Sequence, residues 1–90
     1  MLKLTEDEWA ALGQLYDLFW REIQDNQGPN IGWLIADADD LPTLETLLVR
    51  GYAEMRYRYY GDETAQEFKL LTPGHEIIRW REDLKTVLFD

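Results

Sequence analysis

The first quarter of the chain alternates apolar and polar positions with the period of an amphipathic helix. Apolar side chains recur there at intervals of three and four residues, which places them on one helical face. A threonine and a glutamate three residues apart precede this pattern, the spacing of a capping box in which each residue caps the other's backbone N–H. We therefore predict a first helix that runs to about residue 24. Its inward face carries Trp9, Leu12, Tyr16, Phe19 and Ile23.

The middle of the chain contains two shorter apolar runs. Residues 30–36 predict a short second helix, with Ile31, Trp33, Leu34 and Ile35 as its apolar members. A third helix is predicted to follow, because Asp40 suits the N-cap and Pro42 the first turn. Gly51 suits the left-handed position just beyond the end of that helix. Its inward positions are Leu41, Leu44, Leu47 and Leu48.

From residue 52 the period of the pattern changes to two, which predicts a strand. Gly61 and Asp62 form a hairpin turn signal, and a returning strand is predicted at about residues 65–71. A final helix is predicted to begin at residues 72–74. Of the first strand, one face carries Ala53, Met55, Tyr57 and Tyr59, and the other carries Glu54, Arg56, Arg58 and Tyr60.

This order of elements resembles a winged helix-turn-helix domain and is most similar to bacterial regulators of the MarR and PadR kind. The resemblance covers roughly residues 31–78. It implies an α+β fold with three helices, a β-hairpin wing and a C-terminal helix. The length of 90 residues predicts a single domain over residues 1–90. The residues that carry the resemblance are Leu44, Leu47, Gly51, Tyr52, Leu70, Leu71, Thr72, Pro73 and Gly74.

In such families the third helix enters the major groove of DNA and the wing touches its backbone or minor groove. By this resemblance the outward positions of the third helix are Thr43, Glu45, Thr46, Val49 and Arg50. Together with the hairpin, the candidate contacts to DNA or to a partner are Thr43, Thr46, Arg50, Arg56, Arg58 and Tyr60.

The charge of the chain opposes DNA binding. The formal net charge is −9, and an acidic surface repels phosphate at long range. Within the hairpin, Arg56 and Arg58 alternate with tyrosines, which could grip a phosphate backbone and stack on bases. The alternative that we favour is cross-strand pairing of these arginines with Glu67 and Glu63.

Composition also argues against catalysis. The chain contains neither cysteine nor serine, so the two commonest nucleophiles are absent, and His75 stands alone without a triad partner. No phosphate-binding loop, dinucleotide motif or zinc motif occurs, so we expect no cofactor. The acidic turn at residues 37–40 lacks the spacing of a calcium loop, and we expect no metal. We expect neither a signal peptide nor a membrane span, and hence a cytoplasmic protein.

A second apolar stripe on the first helix suggests an interface, because a helix that is apolar on two faces is usually buried on both. This stripe and the last helix are candidates for a homodimer seam or a partner-binding face. The candidate residues are Leu15, Leu18, Trp20, Trp80 and Phe89.

Two functions stay open at this point. The first is a non-enzymatic protein-interaction module, such as a small inhibitor or adaptor encoded by a phage or mobile element. The second is a dimeric transcriptional regulator that reads duplex DNA through residues 41–50 and the wing. The charge favours the first function and the family resemblance favours the second.

Overall fold

The computed structural model describes residues 4–25 and 30–89, with side chains described at positions 4–24 and 30–81. Within these ranges the fold is mixed α+β, with three helices and one three-stranded antiparallel sheet of order β1-β3-β2. The elements in chain order are α1 (Glu6–Asp25), β1 (Leu34–Ile35), α2 (Leu41–Val49), β2 (Ala53–Tyr60), β3 (Glu63–Leu70) and α3 (Thr72–Phe89).

The predicted capping box opens α1. The Thr5 backbone N–H donates to Glu8 Oε1 at 3.0 Å, and the Glu8 backbone N–H donates to Thr5 Oγ1 at 3.1 Å. The two side chains thus satisfy backbone donors that the first helical turn leaves without partners. The capping box begins α1 where the sequence pattern predicted, and its end at Asp25 lies one residue beyond the predicted end.

The short helix predicted at residues 30–36 is wrong. This segment contains β1, in which Leu34 faces Phe68 and Ile35 faces Glu67 of β3. Gly32 has a φ of 79°, a value that a right-handed helix cannot contain. The described part of the chain therefore has three helices instead of the predicted four, with a strand in place of the second.

The helix α2 ends as predicted, because Gly51 follows it with a φ of 81°. The N–H of Gly51 donates to the Leu48 carbonyl at 3.1 Å, and the N–H of Tyr52 donates to the Leu47 carbonyl at 3.0 Å. Asp40 lies at the N-cap position, but its side chain makes no capping hydrogen bond.

The hairpin has a continuous register from Ala53 opposite Leu70 to Tyr60 opposite Glu63. Gly61, with a φ of 65°, and Asp62 form its two-residue turn. The returning strand is two residues longer at its start than predicted, since pairing begins at Glu63. The proximal half of the hairpin packs on the helices, and the distal half extends beyond them into solvent.

One hydrophobic core lies between α1, α2, α3 and the inner face of the sheet. Leu15 is 0% exposed, so its placement on a partner-binding face is wrong. It lies one turn after Leu12 and joins the same buried stripe, which is broad because α1 packs against α2, α3 and β3 together. The largest fully buried side chains are Leu12, Leu15, Leu44, Leu47 and Phe68. Across the described ranges, no helix has the length and apolarity that a membrane crossing requires.

Candidate interaction surface

A buried carboxylate joins α1 to α2. Glu8 Oε2 accepts from Arg50 Nε at 2.7 Å and from the Thr46 hydroxyl at 3.0 Å. The Glu8 side chain is almost fully buried, whereas that of Arg50 is about one-third exposed. Two of the candidate contact residues therefore serve the packing of the two helices, and the Arg50 charge is largely balanced within the domain.

Hydrogen bonds keep the Glu8 carboxylate ionised. Burial by itself would raise the pKa of Glu8, but the hydrogen bonds from the Thr5 backbone, Arg50 and Thr46 together outweigh it. The net pKa therefore lies below its ordinary value of 4.5. A carboxylate that stays charged in this position holds both donors of α2 in place.

A second buried carboxylate organises the outer face of the sheet, the face that points away from the helices. Glu67 lies opposite Arg56 in the register, and Arg56 Nε donates to Glu67 Oε1 at 2.7 Å. The Tyr60 hydroxyl donates to Glu67 Oε2 at 2.8 Å. This confirms the cross-strand pairing of Arg56 with Glu67, whereas Arg58 lies opposite Ala65 instead of an acid.

The Arg56 guanidinium is held on further sides. It lies 4.1 Å from the centre of the Trp33 ring, and its Nη1 donates to Asn30 Oδ1 at 3.3 Å. Its Nη2 is buried without a hydrogen-bond partner among the described residues, and stacking on the indole compensates part of that loss. Arg56 is therefore a structural residue of the outer face.

The same network sets two pKa values. Burial would raise the pKa of Glu67, but the hydrogen bonds from Arg56 and Tyr60 bring it below its ordinary value of 4.5. The pKa of Tyr60 is raised, chiefly because its hydroxyl donates to Glu67. At neutral pH the group is therefore a carboxylate with two donors bound to it.

We expect acid to remove the contributions of Glu8 and Glu67 to stability. A carboxyl whose pKa is lowered by folding stabilises the native state above its unfolded pKa, and that contribution disappears as the pH falls through the folded pKa. The stability lost on Glu8→Gln or Glu67→Gln should therefore be largest near neutral pH and shrink as the pH falls below the ordinary carboxyl pKa of 4.5 and through the lower folded pKa. Urea titrations of wild type and variants at each pH measure this difference. A difference that is constant with pH would contradict the assignment.

The distal half of the hairpin exposes large side chains. Tyr57 is 59% and Tyr59 is 76% exposed, on the strand face that carries Ala53 and Met55 into the core nearer the helices. On the other face, Arg58 makes no ion pair with a described residue and lies 5.3 Å from the Tyr60 ring centre. Tyrosine and arginine are the residue types enriched at the centres of protein interfaces.

The outward face of α2 is less polar than a DNA-reading helix requires. Val49 is 86% exposed, and the single hydroxyl hydrogen of Thr46 is shared between the Thr43 carbonyl at 2.6 Å and Glu8 Oε2 at 3.0 Å. With Arg50 paired to Glu8, this face offers few free polar groups to base edges, which are read by hydrogen bonds.

A separate aromatic cluster lies where α1 meets the start of α3. The His75 ring centre is 4.8 Å from that of Phe19 and 6.4 Å from that of Trp20. These rings line a groove of about 480 Å³ that Lys69 and Arg79 also border. The pKa of His75 is lowered by burial and by the nearby positive charges, so its imidazole is neutral at pH 7.

The residues predicted for the partner-binding face differ in their exposure. Trp20 and Trp80 are exposed, at 37% and 57%, and Leu18 is half-buried. Leu15 is in the core, as described above. The side chain of Phe89 lies outside the described residues, so its place on this face stays a prediction.

The acidic turn lies beside the first turn of α1. Asp39 and Asp40 line a small hollow with Asp7 of α1. Yet no group of three or more histidine or acidic side chains among the described residues is placed to hold a metal ion.

The positions and contacts of three residues were not predicted from the sequence. Glu8 was identified as a capping residue, but its contact with Arg50 spans 42 positions of sequence and has no local signal. Trp33 was assigned to a helix, so its stacking with Arg56 was not expected. Ile35 lies on the outer face of the sheet opposite Glu67. Only the pairing of β1 with β3 could have indicated this position.

Comparison with known proteins assigns no family to this arrangement: the chain matches no protein-family model, no curated protein and no solved structure at a significant level.

Proposed function

We propose that this chain is a non-enzymatic protein-interaction module built on a winged-helix-like domain, and that its distal hairpin contacts the partner. The observation that carries the proposal is the exposure of Tyr57 and Tyr59 beyond the core, beside Arg58, which forms no ion pair with a described residue. A solvent-facing pair of tyrosines at the end of a hairpin has no role in the core. Aromatic side chains provide large contact areas at low conformational cost.

The winged-helix assignment rests on element order and sheet order. In this proposal α2 corresponds to the recognition helix and the β2–β3 hairpin to the wing. The strand β1 pairs with the edge of β3 that β2 leaves free, so the sheet has three strands with β3 in the centre. No helix lies between α1 and α2 among the described residues, so the correspondence rests on α2 and the hairpin.

Binding of duplex DNA is the competing function, and the distribution of cations disfavours it. Of the three arginines predicted to contact DNA, Arg50 and Arg56 are bound to Glu8 and Glu67. To meet a phosphate, either would have to leave a buried carboxylate, which is costly. The net charge of −9 adds long-range repulsion.

We expect no saturable binding to mixed-sequence duplex DNA at physiological salt. Fluorescence anisotropy with a labelled duplex, at low and physiological salt, measures this directly, since binding through phosphate contacts falls steeply with salt. The variant Arg58→Glu and its control Arg79→Glu carry the same charge change at the hairpin and at an exposed position of α3. Binding that persists at physiological salt and is lost in Arg58→Glu alone would overturn the proposal in favour of the regulator.

Photo-crosslinking from two positions of the chain tests whether the hairpin contacts a partner protein. A photo-crosslinking amino acid at Tyr59 should form a discrete adduct with a protein of the source cell, and one at Asp17, exposed on α1, should not. Adducts of equal yield at both positions would indicate nonspecific contact and count against the hairpin as the binding element.

A further inference from the structure

The strand β2 forms an open edge of the sheet. In the order β1-β3-β2, β2 pairs with β3 on one side and with no described strand on the other. Its pairing with β3 is continuous over eight residues, without a bulge, and the strand contains no proline. Proteins usually blunt such edges with bulges, prolines or lysines, because an open edge is a template for another strand.

The hairpin geometry shows which backbone groups face outward. In a hairpin with a two-residue turn, the residues that flank the turn exchange both backbone hydrogen bonds, and bonded pairs then alternate along the ladder. Tyr60 and Glu63 flank this turn, so even-numbered residues of β2 bond to β3. The bond from the Leu71 N–H to the Tyr52 carbonyl, at 2.9 Å, agrees with this alternation. The N–H and carbonyl groups of Met55, Tyr57 and Tyr59 therefore point away from the sheet.

The distal part of this edge is accessible. Ala53 is buried and Met55 packs against the core, but Tyr57 and Tyr59 are exposed. No described backbone group forms a hydrogen bond with the outward-pointing N–H or carbonyl group of Tyr57 or Tyr59. An added strand would gain main-chain hydrogen bonds there, while its alternate side chains meet the two faces of β2.

The two faces of β2 call for different side chains on the added strand. The inner face offers Tyr57 and Tyr59, which suit apolar neighbours. The outer face offers Arg58, which lacks an ion pair with any described residue, whereas the neighbouring Arg56 is already bound to Glu67. Opposite charges on neighbouring strands stabilise a pair, and like charges destabilise it.

A second copy of this chain fits the edge poorly. In an antiparallel β2–β2 pair with Tyr57 facing Tyr57, Arg56 would face Arg58. Shifting by two residues in one direction places Arg58 opposite Arg58. Shifting in the other direction places Arg56 opposite Arg56 and Arg58 opposite Glu54, so only that register offers an attractive pair. Each copy also carries a net charge of −9, so repulsion between copies adds to the cost.

We propose that the open edge of β2 binds an extended peptide segment of a partner protein, with apolar residues at alternate positions and an acidic residue beside Arg58. This inference rests on the proposed interaction function and specifies the mode of binding. The acidic residue supplies orientation, and the main-chain hydrogen bonds supply most of the affinity.

The probe is a blocked eight-residue peptide with valine at alternate positions, threonine at the others and one central threonine replaced by glutamate. Amide hydrogen exchange of the full chain, read residue by residue by NMR, should show slowed exchange at Tyr57 and Tyr59 when the peptide is added. The even-numbered amides of β2 should change little, because they are already bonded to β3. Two further peptides are N-methylated, one at its odd-numbered and one at its even-numbered residues. The peptide whose methyl groups block the N–H groups that face β2 should lose binding, and the other should keep it.

Charge reversal at Arg58 tests the contribution of the peptide's acidic side chain to binding. Arg58→Glu should weaken the glutamate peptide about fivefold in Kd and favour a peptide with lysine in its place. Arg79→Glu, with the same charge change on α3, should leave both affinities unchanged. A peptide that protects neither tyrosine amide, or whose two N-methylated forms bind equally, would overturn the inference.

The outcomes separate this inference from the function on which it rests. Protection by the peptide elsewhere, on α2 or in the groove around His75, would overturn edge pairing and retain an interaction module. Loss of the proposed function itself would be seen in the DNA experiment, as binding at physiological salt that requires Arg58.

Discussion

Replacement of Gly74 by alanine is expected to destabilise the fold by about 2–3 kcal/mol, although alanine is the better helix former. A Cβ at this position in α3 would lie 2.5 Å from the Tyr52 carbonyl oxygen and 2.5 Å from Leu70 Cδ1. That oxygen is fixed, because it accepts from the Leu71 N–H at 2.9 Å. The gain in helix propensity is at most about 1 kcal/mol, so the steric cost decides the sign.

Thermal unfolding measures this effect. For a chain of this size the midpoint should fall by roughly 10–15 °C. The matched control is Gly13→Ala in α1, where an added Cβ meets nothing within 4 Å and the same propensity gain should stabilise the protein. Equal midpoints for Gly74→Ala and wild type would mean that α3 can move away from β3 without cost.

Replacement of Glu8 by alanine is expected to cost about 2–3 kcal/mol of unfolding free energy. The change removes half of the capping box and leaves Thr46 and Arg50 without their shared acceptor. The cost stays below that of a fully buried pair, because Arg50 is partly exposed and can turn towards water.

Urea unfolding of Glu8→Ala should be compared with that of Glu6→Ala, an exposed acid in the same helical turn. Glu8→Gln, which keeps an acceptor oxygen but removes the charge, should fall between wild type and Glu8→Ala. A double-mutant cycle with Arg50→Met isolates the pair, and we expect a coupling of about 1–2 kcal/mol. A coupling near zero would show that the two side chains contribute independently.

The two buried carboxylates, Glu8 and Glu67, also bear on function. Glu8 binds Arg50 and Thr46, two side chains that a DNA-reading helix would need at its surface. Glu67 binds Arg56, which the hairpin would need in the same way. Two buried carboxylates thus withdraw two of the three predicted cations from the surface. Arg58 and the neighbouring tyrosines remain accessible, which is why the proposed contacts with a partner concentrate at the distal hairpin.

The pairing of Arg56 with Glu67 could be predicted, because a two-residue turn at Gly61 and Asp62 sets the register of both strands. The pairing of Arg50 with Glu8 could not, since nothing local relates residues so far apart in sequence. The strand at Leu34 was missed for a similar reason. A short apolar run suits a helix or a strand equally well, and its partner on β3 lies more than thirty positions away.

The amino-acid sequence by itself determined the local features of this protein: the capping box at Thr5, the left-handed glycine after α2, the hairpin turn and the start of α3. Each depends on a few neighbouring residues and their backbone preferences. Tertiary structure decided the rest, including the formation of β1, the burial of Leu15 and the ion pair between Arg50 and Glu8. These depend on which surfaces meet in the folded chain, and the free energy of those contacts is not encoded in any single segment.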